Sequence, residues 1–193
     1  MSPDLGAFDV VRSAALGFAL AAAVGLRIFV PLLVVSAAAF AGHLELTGGL
    51  AWLGSPAALI VFGVATLLEV VAYKVPWLDN LLDAAGAPVA VLAGTLMMAS
   101  ALEGADPLLR WAIAAIAGGG TAGAVHGSLA VLRKLSSLTT GGLANPLISM
   151  AEGIGALMLS VVALLVPIAA LVAAALTVAL VVALIRRRSR RPA

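Results

Sequence analysis

From Pro146 to Ile185 the chain runs forty residues with one ionisable side chain, Glu152. A single straight helix of that length would reach about 60 Å, twice the hydrocarbon thickness of a bilayer. The stretch must therefore fold back within a membrane. Pro167, near its middle, marks the turn and predicts spans at 146–165 and 168–186. Composition agrees. The 193 residues are 63% hydrophobic and 10% charged, whereas a soluble domain is about half apolar and a quarter charged. The length allows a single transmembrane domain covering 1–193.

Reading forward, residues 13–42 are apolar except for Arg27 and form the first span. The stretch is longer than one crossing needs, and Gly25 and Pro31 predict a kinked or broken helix between them. The small residues at 36–42 resemble a signal-peptide cleavage site, but Asp4 and Asp9 offset Arg12, so the segment reads as retained. Residues 43–55 form a loop with Trp52 at the interface. The second span is 56–76, with Ser55 as N-cap and Pro56 at the first helical position. Residues 77–85 are amphipathic, with Asp79 and Asp83 on one face and Leu78, Leu81 and Leu82 on another. The third span is 86–102. A turn at 103–107 precedes the fourth span, 109–132, and 133–145 reads as a polar loop. The fold class is all-α: a polytopic transmembrane bundle of about six spans.

Five of the eleven basic residues fall in the tail 186–193. Directly after an apolar helix, such a tail anchors to anionic lipid on the cytoplasmic side; it does not indicate nucleic-acid binding. Six spans then place Arg12, Lys74, Arg133 and Lys134 on the tail's side, with both termini cytoplasmic in the inner membrane. Three spans followed by three more would be inverted with respect to each other. Pro56, Gly63 and Pro76 match the spacing of Pro146, Gly153 and Pro167 closely enough to raise a 3+3 inverted repeat. Capping prolines alone would produce much of the same pattern.

Arg27, Glu69, His126 and Glu152 fall within spans, where a charge costs about 2.5–3.5 kcal/mol on insertion scales. The topology puts all four at a similar depth from the cytoplasmic face, so one mixed-charge cluster is geometrically allowed. Asn145, Ser149 and Glu152 make a polar stripe on one helix, and together with Arg27, Glu69 and His126 they form the candidate ion- or solute-binding set. A structural ion-pair lock is the plainer reading of the same residues. The Gly119-Gly123-Gly127 series reads as helix packing.

Cysteine is absent, which excludes disulfides and thiolate chemistry. Asp79 and Asp83 are weak metal candidates, with no compact ligand motif beside them. Ser149 near His126 lacks a nucleophile motif, and Gly118-Gly-Gly-Thr lacks the P-loop lysine, so no catalytic residue and no cofactor are assigned.

Gly25-Leu-Arg27 with Phe29 and Pro31, Glu69 with Lys74, Pro76, Asp79 and Asp83, then His126, Arg133, Gly141, Asn145-Pro146, Ser149 and Glu152, resemble the signature of a bacterial integral membrane family, domain of unknown function 4126. The resemblance covers about residues 15–165. It implies a compact multi-span protein and brings no reaction or substrate. Where that pattern carries an acidic residue after Glu152, this chain has Gly153, which weakens any paired-carboxylate role there.

The expected function is a small secondary transporter or channel for an ion, proton or small solute, with membrane lipid as surroundings and a homodimer as one assembly. The rivals are a metal-dependent membrane enzyme acting on a lipid or phosphate ester, and a non-transporting scaffold or accessory subunit.

Overall fold

The computed structural model describes residues 6–46, 48–72, 76–102, 104–141 and 143–189. Lys74, Glu103, Arg190 and Arg191, and the side chains of Asp79, Asp83 and Arg188, lie outside what it describes. The described residues are helical, without strands. The helices are α1 (Ala7–Leu26), α2 (Phe29–Phe40), a 3₁₀ segment (Gly48–Gly54), α3 (Pro56–Ala72), α4 (Pro76–Ala101), α5 (Pro107–Ile113), a π-helical segment (Ala114–Gly119), α6 (Gly120–Thr140), α7 (Asn145–Leu165) and α8 (Pro167–Ser189).

Four stretches are long and apolar enough to cross a bilayer: Phe8–Leu26, Pro107–Thr140, Asn145–Leu165 and Pro167–Arg187. Phe29–Phe40, Pro56–Ala72 and Ala85–Ala101 are shorter and apolar. Large apolar side chains are exposed along α3 (Ile60, Leu67, Leu68), α7 (Leu147, Ile154, Met158) and α8 (Val172, Leu176, Leu180). Water would not tolerate a surface of this extent, but lipid would. The protein is a multi-pass membrane protein.

Local chemistry explains most boundaries. Ser55 Oγ accepts from Ala58 N at 3.1 Å, as an N-cap should, and Pro56 follows it as the first residue of α3. Asp106 caps α5 in the same way, accepting from Leu108 N and Leu109 N at 3.0 and 3.2 Å. Gly141 ends α6 in the left-handed region, φ 59°, where glycine carries no steric cost. The turn at Val166–Pro167 divides the forty-residue apolar stretch as expected.

α1 is the hub, packed against α4, α6, α7 and α8. Gly25 allows a close approach: a Cβ there would lie 2.8 Å from Ala122 O of α6. α4 meets the π-helical segment through Gly94, whose added Cβ would lie 2.7 Å from Gly118 O. Backbones this close are how helices associate in lipid, where no hydrophobic drive separates them from solvent.

Three expectations change. Residues 13–42 are not one crossing. The helix breaks at Arg27, which is extended (φ −148°, ψ 128°), and resumes at Phe29. α2 then runs back along α1. Asp9, Arg12 and Ser13 of α1 line one cavity together with Ala38 of α2 and His43 just beyond it. The first predicted span is thus a hairpin, with Arg27 at its tip rather than in mid-span. The described helix ends also depart from the expected arrangement. Arg12 lies beside Leu164, Leu165 and Pro167, whereas Leu180 and Leu184 of α8 lie beside Ile148 and Glu152. The start of α1 and the end of α8 are therefore at opposite ends of the bundle. Finally, 77–85 belongs to the continuous α4, and most of the predicted 133–145 loop is helix. Leu132, Arg133 and Ser136 continue the buried face of α6, so the helix runs on until Gly141.

A buried charged cluster at the tip of a broken helix

A helix break inside a membrane leaves backbone N–H groups without acceptors, and something must satisfy them. Here α3 supplies it. Glu69 Oε1 accepts from Ile28 N at 2.9 Å and Oε2 from Phe29 N at 3.1 Å. The carboxylate thus caps the first turn of α2, the end of a helix that favours negative charge. Pro31, third in α2, lacks an N–H at a position where none would be used inside the helix.

The same break sends the Arg27 side chain toward α7. Its Nη2 donates to Ser149 O at 2.9 Å and to Ser149 Oγ, and it lies 3.8 Å from Glu152 Oε2. Arg133 of α6 approaches from the other side, its Nε 3.6 Å from Glu152 Oε1. Both ion-pair distances exceed the roughly 2.7–2.9 Å of a direct charge-assisted hydrogen bond. Arg27, Glu69, His126, Arg133 and Glu152 are each at most 5% exposed. His126 sits beside the backbone of Gly86 in α4: a Cβ there would lie 2.9 Å from its Nε2 and 3.5 Å from Ile28 Cδ1. The imidazole therefore adjoins the hairpin tip.

Five elements deliver these groups to one end of the bundle: the α1–α2 tip, α3, α4 through Gly86, α6 and α7. Of the six residues expected at the site, Arg27, Ser149 and Glu152 meet directly, Glu69 holds the tip they share, and His126 flanks it. Asn145, one turn before Ser149, is half-buried and turns to α6 instead, its Nδ2 donating to Ser137 Oγ at 2.9 Å. Arg133 was missing from the expected set because it read as a loop residue. Its spacing of seven from His126 puts both on one helical face, and that signal was present in the sequence.

The bundle holds two cavities, one of them against the cluster. One of about 480 Å³ lies between α6, α7 and α8, and Glu152 forms part of its wall. The other, about 540 Å³, lies at the opposite end of the bundle, where Asp9, Arg12, Ser13 and His43 meet Val161 and Leu165. Among the described residues no group of three His, Asp or Glu is placed to hold a metal ion; the side chains of Asp79 and Asp83 are not among them.

Residues 14–187 match the family model for the domain of unknown function DUF4126. The chain belongs to that family. No curated protein and no solved structure matches it. The DUF4126 match takes in the hairpin tip, all the cluster residues and the 480 Å³ cavity.

Proposed function

We propose that the protein is a small secondary transporter or channel for an ion or small solute, working through Arg27, Glu69, His126, Arg133 and Glu152. The observation that carries this is the helix break at Arg27–Ile28, which brings an unwound segment and a helix N-terminus among ionisable side chains inside the bundle. Discontinuous helices of this kind bind solutes in transporters, because the exposed backbone and the helix end supply fixed partial charges. In this reading Arg27 and Arg133 hold an anionic group, and a glutamate or His126 carries a proton. The arginine tail faces the cytoplasm of the inner membrane, and the start of α1 faces the other side. The hairpin gives the first half a fourth helix, so the proline spacing reads as helix capping and not as a 3+3 inverted repeat; a homodimer is compatible with the exposed apolar faces.

One observation favours a purely structural lock: Arg27, Ser149, Glu152 and Arg133 already engage one another. Glutamine variants separate the readings, since glutamine keeps shape and hydrogen bonding but cannot titrate. In liposomes, Glu152→Gln should stay folded yet lose solute or proton flux. If it lowers stability while flux stays proportional to folded protein, the cluster is a lock.

A further inference from the structure

The 540 Å³ cavity lies at the end of the bundle away from the charged cluster, where α1 begins, α2 ends and α7 turns into α8. Helix ends of a membrane protein stand at the level of the lipid headgroups. Asp9, Arg12 and Ser13 of α1 and His43 beyond α2 form the polar part of the wall, and Leu16, Val34, Val161 and Leu165 continue it as an apolar part. Val161 and Leu165 of α7 are also exposed, so the cavity opens sideways toward lipid. Asp9 and Arg12 are exposed, and among the described residues they are paired neither with each other nor with another charge. Three residues apart, they share one face of α1 with about 4.5 Å of helix rise between them. α1 enters the bundle from this end. Asp9 is therefore the outer of the two charges, Arg12 lies one turn deeper, and Leu16 lies one turn deeper again.

We propose that this cavity binds a phospholipid with a primary ammonium head, its ammonium at Asp9, its phosphate at Arg12 and Ser13, and a chain along Leu16, Val34 and Val161. The order of the groups carries the proposal. From the water inward, the α1 face of the wall presents an anion, a cation and then apolar surface. A zwitterionic phospholipid presents the complement in the same sequence: ammonium outermost, phosphate next, hydrocarbon innermost. The match needs no surplus of either charge, because wall and head each offer one of each sign. A lipid phosphate without an ammonium would reach Arg12 but gain nothing from Asp9. A cationic amphiphile would bring its charge to Arg12 as its chain entered. The kind of ammonium follows from what the wall lacks. Among the described residues lining it there is no Phe, Tyr or Trp, so the aromatic faces that hold a quaternary ammonium are missing. The Asp9 carboxylate instead offers acceptors to the N–H donors of a primary one. The proposal goes beyond the transport reading and uses none of the residues of the cluster.

The test is native mass spectrometry of the full-length protein, stripped of lipid in detergent and titrated with four probes. Three are phosphatidylethanolamine, phosphatidylcholine and phosphatidylglycerol with identical chains; the fourth is glycerophosphoethanolamine, the same head without chains. The expected result is that phosphatidylethanolamine binds at least about tenfold tighter than each of the others. Asp9→Asn should remove that preference and bring the three lipids level, whereas Arg12→Gln should weaken all three. The exchange of Asp9→Arg with Arg12→Asp keeps the composition and net charge of the wall and reverses its order, so it should abolish the preference. These substitutions fall on exposed side chains, and an unchanged melting temperature without lipid checks that each variant is folded. If the exchange does not fold, Asp9→Asn decides alone. Phosphatidylcholine binding as tightly as phosphatidylethanolamine, phosphatidylglycerol binding more tightly, or a preference that survives Asp9→Asn or the exchange would overturn the proposal. Glycerophosphoethanolamine binding as tightly as the lipid would overturn it too, by marking a free zwitterion as the ligand. Flux lost or kept in Glu152→Gln bears on the transport reading alone and leaves this one standing.

Discussion

The two ends of α1 are held by opposite chemistries. Near Gly17 the helix meets Met98 and Ala101 of α4, and alongside it Gly94 and Gly118 bring α4 and the π-helical segment into backbone contact. The groups in these contacts are small or apolar, and the helices stay continuous. At Arg27 the helix stops, and the Arg27 side chain and the N–H groups of Ile28 and Phe29 are held by charges or hydrogen bonds from other elements. In lipid, small residues suffice to join intact helices, whereas a broken helix survives only where polar partners meet its freed backbone. The contrast separates what builds the bundle from what the bundle carries.

Enlarging the small-residue seam should have the greatest effect. Gly94→Leu would drive a side chain into the Gly118 carbonyl, a backbone that cannot yield cheaply, and should cost about 3 kcal/mol or more in a denaturant titration. Removing the cap on α2 comes next. Glu69→Ala leaves Ile28 N and Phe29 N without their acceptor and should cost about 2–3 kcal/mol, with Glu69→Gln recovering part of it because one amide oxygen can still accept. Arg133→Ala should cost about 2 kcal/mol, less than full removal of a buried partner, because Arg27 still compensates Glu152. Asn145→Ala should cost about 1 kcal/mol or less, since it removes one neutral hydrogen bond, to Ser137, from a half-buried position. A large loss at Asn145, or none at Gly94, would erase the distinction between the two regions.

The sequence revealed the membrane, the turn at Pro167, the Ser55 cap and the break between Gly25 and Pro31, because each follows from local chemistry that a single segment carries. It also revealed four of the buried ionisable groups, since a charge in an apolar run stands out. The hairpin was not legible. A break and a reversal look alike in sequence, and only the packing of α2 against α3 and α7 decides between them. The reversal moves the start of α1 to the end of the bundle opposite the end of α8, and Arg27 from mid-span to the tip. Arg133 has its helical spacing to His126 masked by its neighbours. Lys134, Ser136 and Ser137 beside it look like a loop, although Leu132, Arg133 and Ser136 are buried. Polar residues at the end of a membrane helix give no signal of where the helix stops until a residue such as Gly141 forces it to.

The account turns on the hairpin, because only a reversal at Arg27 brings the helix break, the Glu69 cap and the arginines together. The chain has no cysteine, so Ser13→Cys with His43→Cys allows two spin labels and no others, and their separation can be read by pulsed electron resonance in nanodiscs. Both positions line one cavity at the end of the bundle away from Arg27. The account predicts a separation less than half of the about 45 Å that thirty residues of continuous helix would impose. A distance near 45 Å would mean that residues 13–42 cross the membrane once, and would contradict it.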